Sequence, residues 1–292
     1  MCYLAGVSRA SFYRDYEEAA PDEAEMAVRA AIHEEALKHR RRYGGRRISR
    51  ALRGRGMLVG RHRVTRIMRE DNLLAIRHRK YVLTTDSQHD HPVYVNLARR
   101  MTVTGVNQLW VADITYIRLR TEFVYLAVAM DRFSRKAIGW ALDRSLSATV
   151  ALAALQQAIA RRQPPPGVVH HSDRGVQYAC SDYVAALQAG GMLASMSRPG
   201  NPYDNAFCES FMKTLKQEEI YCNQYRDFAE LSAHLEEFID NYYNRLRLHS
   251  ALGYRTPEEF EQALPIATPP AVDAATMDYF QPPRRQEAPA KS

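Results

Sequence analysis

Three carboxylates stand in settings that could do chemistry on a phosphodiester: Asp113, Asp173 and Glu209. Asp113 interrupts Leu109-Trp110-Val111-Ala112-Asp113-Ile114-Thr115-Tyr116-Ile117, a run apolar at both odd and even positions. Such a run reads as a central strand buried on both faces. A carboxylate there is costly unless it is paired or binds a metal. Asp173 follows the short apolar run Val168-Val169-His170-His171-Ser172 and precedes Arg174-Gly175. Strand ends of this kind are where ligands gather in sheets covered by helices. Glu209 sits one turn into a helix opened by Asn201-Pro202-Tyr203-Asp204-Asn205.

Each of the three has a bland alternative. Asp113 could partner a buried Arg, Asp173 could open a turn, and Glu209 could belong to a solvated face. Two Asp on adjacent strands and a Glu on a nearby helix can nonetheless converge. Three hard oxygen ligands suit Mg2+ or Mn2+. Two such ions about 3.5–4 Å apart can activate an attacking oxygen and stabilise the leaving one at a phosphodiester.

The helix carrying Glu209 adds two cations. At about 100° per residue, Glu209, Lys213 and Lys216 share one face. Phe207, Phe211 and Leu215 lie opposite, at about 160°, 200° and 240° from Glu209. Packing on the aromatics would present Glu209 and both Lys to DNA. His171, beside Asp173, is a candidate for positioning water or phosphate. Capping or packing is the reading for His170 and His249.

These side chains need elements to hold them. Leu109–Ile117, Phe123–Met130 and Ala137–Leu142 read as three antiparallel strands, and Ser147–Arg162 as a long helix ended by Gln163-Pro164-Pro165-Pro166-Gly167. A fourth strand at Val168–Ser172, a helix around Asp182–Ala189 and a short strand near Leu193–Ser197 follow. Helices at Asp204–Cys222 and Phe228–Tyr243 close the series. The order βββαβαβα predicts an α/β fold with an RNase H-like core, a mixed five-stranded sheet flanked by helices, over 105–263.

Upstream, charge separates a second unit. Of 40 Lys and Arg in a chain of net charge +7, 17 fall between Val28 and Lys80, against four acids there. The rest of the chain is net acidic. Such a block is the footprint of a polyanion-binding module. Residues 22–40 read as a helix with Met26, Ala30, Ala31 and Leu37 as its apolar positions. Tyr43–Arg47 is a turn, and Ile48–Gly54 is a short helix with Ile48, Ala51 and Leu52 inward. Arg61–Asp71 has Val64, Ile67 and Met68 inward and Arg61, Arg63, Arg66 and Arg69 outward. Two short helices around the Gly54-Arg55-Gly56 break predict an all-α helix-turn-helix domain at 22–76. Its second helix would reach phosphates or guanine edges in the major groove.

Residues 77–104, with Arg77-His78-Arg79-Lys80 and Arg99-Arg100, read as a basic linker. Residues 1–20 resemble the end of a further helix-turn-helix, and 264–292, rich in Pro, Ala and charge, as a disordered tail. The four cysteines lack the spacing of a zinc site or a disulfide framework. No run of 18 apolar residues exists, so no membrane is expected. The first residues lack the features of a signal peptide, so the expected location is the cytoplasm.

The motifs Trp110–Tyr116, His171-Ser172-Asp173-Arg174-Gly175 and Tyr203-Asp204-Asn205-Ala206-Phe207-Cys208-Glu209-Ser210-Phe211 resemble a known family. With 35 residues between Asp173 and Glu209, and Lys216 seven beyond Glu209, they are similar to the OrfB-type transposases of bacterial insertion sequences of the IS-three group. The closing Tyr243-Asn244-x-x-Arg247-x-His249-Ser250-x-Leu252-Gly253-Tyr254-x-Thr256-Pro257 matches too, over about Ala30 to Phe260. The core also resembles that of retroviral integrases.

The resemblance implies that Asp113, Asp173 and Glu209 are the DDE ligands of two Mg2+ ions, with Mn2+ able to substitute. It implies cleavage of the element's end by water and attack of the freed 3′-OH on another phosphodiester, without a covalent protein–DNA intermediate. Lys216, with Lys213, would contact the end, and Asn205 would support the same region. Implied partners are the terminal inverted repeats, target DNA, further copies of the chain on DNA, and an upstream-encoded helix-turn-helix as a fusion or partner. Two alternatives remain at this point: an RNase H-like two-metal nuclease that does not join strands, and a non-catalytic repressor derived from a transposase.

Overall fold

A computed structural model describes residues 23–75, 94–197 and 205–264. The expected stub at 1–20, the basic run 77–80, the opening of the Glu209 helix at 201–204 and the tail beyond 264 lie outside the described residues. The chain divides into two compact units, Met1–Ile76 and Arg77–Ser292.

In the first unit, α1 (Glu23–Lys38), α2 (Gly45–Gly54) and α3 (Arg61–Glu70) enclose a small core. Ala31, Ile32, Ala36, Tyr43, Ile48, Leu52, Val64, Ile67 and Met68 are buried in it. The inward face of α3 is the expected one. That of α1 is not, because Met26 and Leu37 are 59% and 65% exposed while Ile32 is fully buried. The two misplaced residues lie off the Ala31–Ile32–Glu35–Ala36 stripe that meets the other helices. Helix α2 begins at Gly45, inside the expected turn. A Cβ at Gly45 would lie 2.2 Å from Thr65 Oγ1, so glycine lets α2 and α3 come this close without turning the Thr65 hydroxyl away. His39 stacks on Tyr43 with ring centroids 3.7 Å apart.

The second unit is built on a five-stranded sheet of order β3-β2-β1-β4-β5. Its strands are β1 (Leu109–Arg118), β2 (Phe123–Asp131), β3 (Ala137–Asp143), β4 (Val169–Ser172) and β5 (Leu193–Met196). β1, β2 and β3 form an antiparallel meander, and β4 and β5 run parallel to β1. The mixed α/β architecture expected from the sequence is present. It also contains a short helix α5 (Val176–Ala179), which four residues carry too little periodicity to announce, ahead of α6 (Ser181–Ala189).

Consecutive residues of β3 show that helices cover both faces, since successive side chains on a strand point opposite ways. A Cβ at Gly139 would lie 2.2 Å from the Ala154 carbonyl of α4 (Ala148–Arg162), whereas the Trp140 indole donates to Asp240 at 3.1 Å. Asp240 belongs to a π-helical segment, Glu237–Leu246, that continues α8 (Phe228–Glu236).

The helix that bears Glu209, α7 (Ala206–Glu218), is tied down at both ends. At its start, Asn205 Nδ2 donates to the Ala112 carbonyl of β1 at 3.2 Å. At its end, Glu218 receives Arg247 Nε and Nη2, both at 2.8 Å. Next to it, buried Glu219 accepts from Tyr225 Oη at 3.1 Å and Asn223 Nδ2 at 2.8 Å. Asn244, just before Arg247, pairs its amide with both the N–H and C=O of Ala137 on β3, at 3.0 and 2.9 Å. The closing sequence motif is therefore a strap joining α7 to the far edge of the sheet. It ends in α9 (Pro257–Gln262), capped by a Thr256–Glu259 capping box.

Gly139→Ala would force α4 off β3, where backbone rather than a flexible side chain blocks the new methyl. A loss of about 3 kcal/mol is expected from overpacking of this kind. Chemical denaturation of the full chain measures it; a loss below about 0.5 kcal/mol would contradict this account of the β3–α4 contact.

Candidate active site

The register of β1 with β4 places the first two carboxylates. Leu109 lies opposite Val169, Trp110 opposite His170 and Val111 opposite His171. Continued by two residues, this parallel register brings Asp113 toward Asp173, near enough for the Asp173 charge to act on it. Among the described residues β4 pairs with β1 only as far as Val111, so Asp113 sits where the sheet opens.

Asp113 is partly buried, and its Oδ1 accepts the Ile114 N–H at 2.9 Å. Its carboxyl is pushed up to about 8, first by burial and then by the negative charges of Asp173 and Glu209, with Lys216 pulling it back. Asp173 Oδ1 accepts the Gly175 N–H at 2.9 Å. A Cβ at Gly175 would lie 3.0 Å from that oxygen, so the turn after β4 hugs the carboxylate.

Glu209 is exposed on the first turn of α7, as expected, and so is Lys213. Lys216 is half-buried, its ammonium 4.9 Å from the Tyr116 ring centroid, and Asp113 is the charge that acts on it. The packing face of α7 keeps Phe211 and Leu215 as expected but takes in Cys208 and Met212 in place of Phe207. Cys208, Phe211, Met212 and Leu215 are buried, while Phe207 lies under the guanidiniums of Arg132 and Arg135 at 4.5 and 4.7 Å. Cys208, Phe211, Met212 and Leu215 have the i, i+3, i+4, i+7 spacing of a core stripe, a signal available in the sequence.

Two candidates take other roles. Both ring nitrogens of His171 are engaged, by Ser195 Oγ at 2.8 Å and Ser197 Oγ at 3.1 Å, and the side chain is fully buried. It fastens β4 to β5 and offers no nitrogen to water or phosphate. Asn205 is 6% exposed and donates from its amide nitrogen to β1, so it positions α7 from within the protein instead of facing DNA.

Two buried groups escaped the sequence reading. Among the described residues the Tyr178 hydroxyl has no hydrogen-bond partner, and burial, aided by Tyr183, Asp173 and Asp113, holds its proton on. The Cys208 thiol is likewise raised by burial and the same acidic cluster. Neither residue belongs to a recognisable pair in sequence, because each meets the carboxylates only through the fold.

The donor chemistry fits a hard divalent cation, since carboxylates crowded in a partly dry site leave negative charge that such an ion would balance. Among the described residues, however, no three His, Cys, Asp or Glu side chains are gathered closely enough to hold a metal ion. Asp113 and Asp173 are brought toward each other by the sheet, and the exposed Glu209 is near enough to act on Asp113 electrostatically.

The comparisons with known proteins agree with this architecture. The chain matches an HTH-like domain over residues 22–81 and integrase core domains over 103–202 and 191–257. It is 36% identical to the transposase for insertion sequence element IS904 of Lactococcus lactis, over 80% of this chain and 92% of that one. The chain belongs to the insertion-sequence transposase family. A 31 kDa protein of insertion element IS600 from Shigella sonnei is 36% identical, over 90% of this chain and 97% of its relative. The transposase InsF for insertion sequence IS3A of Escherichia coli is 38% identical, over 77% and 78%. This transposase is thus an enzyme of the DDE transposase/integrase class with an integrase core. Among solved structures, a simian T-cell lymphotropic virus intasome in complex with PP2A regulatory subunit B56 gamma matches with TM-score 0.48. Identity there is 18%, and the match covers 84% of this chain and 78% of that one. The HTLV-2 integrase catalytic core domain in complex with magnesium gives a TM-score of 0.42 at 15% identity, over 53% and 97%.

The raised Asp113 carboxyl predicts a pH effect in metal-free buffer. Between the ordinary value near 3.9 and about 8, the folded chain holds a proton that the unfolded chain releases. Folding stability contributed by this group therefore falls as pH rises through that window and levels off above it. Asp113→Asn removes the effect. Its melting temperature is expected to exceed the wild type's increasingly from about pH 5 to pH 8. A constant difference across that range would rule out the shift.

Proposed function

We propose that the chain cuts DNA at the ends of its insertion sequence and joins the freed 3′ ends to a target, with Asp113, Asp173 and Glu209 as the catalytic, metal-holding residues. The observation that carries this reading is the β1–β4 register, which brings two carboxylates toward each other at the opening of the sheet. Glu209 completes the set by turning in from its exposed place on α7. Two Mg2+ ions, for which Mn2+ can substitute, supply when bound the polarisation that activates water or a 3′-OH and stabilises the departing oxygen. The chain's own residues do the rest. Lys216 and Lys213 attract the phosphate backbone that the acidic cluster would otherwise repel, and Asn205 keeps α7 against β1.

In this reading residues 22–76 bind the terminal inverted repeats, 77–104 form a basic linker along DNA, and 105–263 are the catalytic core. An upstream-encoded helix-turn-helix, fused or separate, is a partner in this reading. Several copies of the chain act together on element ends and target DNA. The place of action is the cytoplasm, at the nucleoid; among the described residues no helix is long and apolar enough to cross a membrane.

Labelled element ends, incubated with the chain and Mg2+, should yield both nicked and joined products. Asp113→Ala, Asp173→Ala and Glu209→Ala should each lower both by about two orders of magnitude or more, as loss of a charge-stabilising group does in other enzymes. Nicking without joining would favour a nuclease. Binding without cleavage, unchanged in Asp113→Ala, would favour a repressor.

Charge pairing divides the four arginines of α3. Arg63 is bound to Glu25 of α1, and Arg66 lies 3.6 Å from Glu25 and 3.5 Å from Glu70. Arg61 and Arg69 are exposed with no carboxylate partner among the described residues. Arg61→Ala and Arg69→Ala should therefore each reduce the salt dependence of DNA binding by about one phosphate contact. Arg63→Ala should change it less, because Glu25 already offsets that charge. Salt titration of duplex binding by fluorescence anisotropy measures this; equal losses in all three would refute the division.

A further inference from the structure

Beyond Asp113, the far end of β1 carries aromatic side chains that neither the carboxylates nor the core requires. β4 stops pairing with β1 at Val111, so this part of the strand is bonded to β2 alone among the described residues. Tyr116 and Phe123 meet edge to face with ring centroids 5.9 Å apart. The Lys216 ammonium lies 4.9 Å from the Tyr116 centroid, and the Arg118 guanidinium 5.6 Å from that of Phe123. Tyr221, from the 3-10 turn that follows α7, has its phenol pushed up by burial and by the neighbouring Tyr116. Phe123 is 49% exposed and Tyr221 39%. Arg118 is exposed as well.

Single exposed apolar residues need no explanation. Here three aromatics are interleaved with two cations, and one of those cations also senses Asp113. That composition is the one by which grooves hold single-stranded nucleic acid, rings stacking on bases and cations tracking the backbone. A duplex hides the faces of its bases. Asp113 is partly buried, so a phosphodiester reaches it more readily on a strand that has left its partner. A protein partner fits less well, because the patch sits next to the carboxylates where the DNA strand must pass.

We infer that Tyr116, Phe123 and Tyr221, with Lys216 and Arg118, form a seat for an unpaired nucleotide of the DNA strand adjoining the Asp113–Asp173 carboxylates. This rests on the reading of those carboxylates as the DNA-cutting site. The seat would favour a frayed or single-stranded end over a fully paired one, whatever its sequence, since every base has a face to stack.

The full chain can be tested with two probes in Ca2+: a blunt duplex, and the same duplex with a short 3′ single-stranded extension. The wild type should bind the extended duplex about fivefold or more tightly than the blunt one, given the strength of base–aromatic stacking. Phe123→Ala and Tyr221→Ala should cut that preference to less than about twofold while leaving blunt-duplex binding and melting temperature unchanged. Tyr221→Phe, which keeps the ring, should retain the preference, and an abasic extension should abolish it for the wild type. Equal binding of the two probes by the wild type, or an undiminished preference in both alanine variants, would overturn the seat while leaving the carboxylate site intact. Failure to bind either duplex would remove the DNA-cutting reading and the seat together. If Phe123→Ala and Tyr221→Ala instead lower the melting temperature and weaken both probes alike, the aromatics only brace the end of the sheet.

Discussion

The parallel pairing of β1 with β4 is the constraint on which the rest of this molecule turns. Three matched residue pairs, ending at Val111 and His171, put Asp113 beside Asp173. Two charged carboxylates this close in a partly dry site would repel strongly, because little water screens them, and without a metal Asp113 keeps its proton up to about 8. Only a stiff frame can hold them there. The frame is the sheet itself, with β2 hydrogen-bonded along the whole of β1 and His171 fastening β4 to β5 through two serines.

The third carboxylate is on a helix, and helices slide more easily than strands in a ladder. The fold answers with attachments at both ends of α7. Asn205 bonds it to β1 next to Asp113, and the buried Arg247–Glu218 pair fixes its other end. Such a pair is weak evidence for stability but strong evidence for placement, since either partner alone would be an uncompensated buried charge. The strap that carries Arg247 is itself anchored by Asn244 to the edge strand β3. Glu209 and Lys216 thereby receive a defined position relative to the sheet, with Glu209 exposed and Lys216 half-buried.

Basic charge is handled differently in the two units. In the helical unit, acids of α1 and α3 engage part of the arginine supply, with Arg29 also bound to Glu70 and Asp71 at 2.5 and 2.6 Å. What remains available to a polyanion is a subset of what the sequence displays. In the catalytic unit Lys216 is set over Tyr116 and within the field of Asp113, so it is both an electrostatic counterweight and part of the wall of the site.

Much of this was legible in the amino-acid sequence, and the reason is periodicity. The doubly apolar run around Asp113 could only be a central strand, and the strand–helix order followed from the lengths and breaks of the apolar segments. The spacing of the carboxylates and the motifs around them carried the family resemblance. What tertiary structure alone decided was partnership. Whether His171 meets water or two serines depends on a strand 24 residues away, and whether Asn205 faces DNA or the Ala112 carbonyl depends on one 93 residues away. The burial of Cys208 in place of Phe207 and the pairing of Arg63 with Glu25 likewise depend on which surfaces meet. Local sequence sets the periodicity of a segment. It cannot show what the opposing segment presents, and hydrogen bonds and ion pairs are settled by that opposing surface.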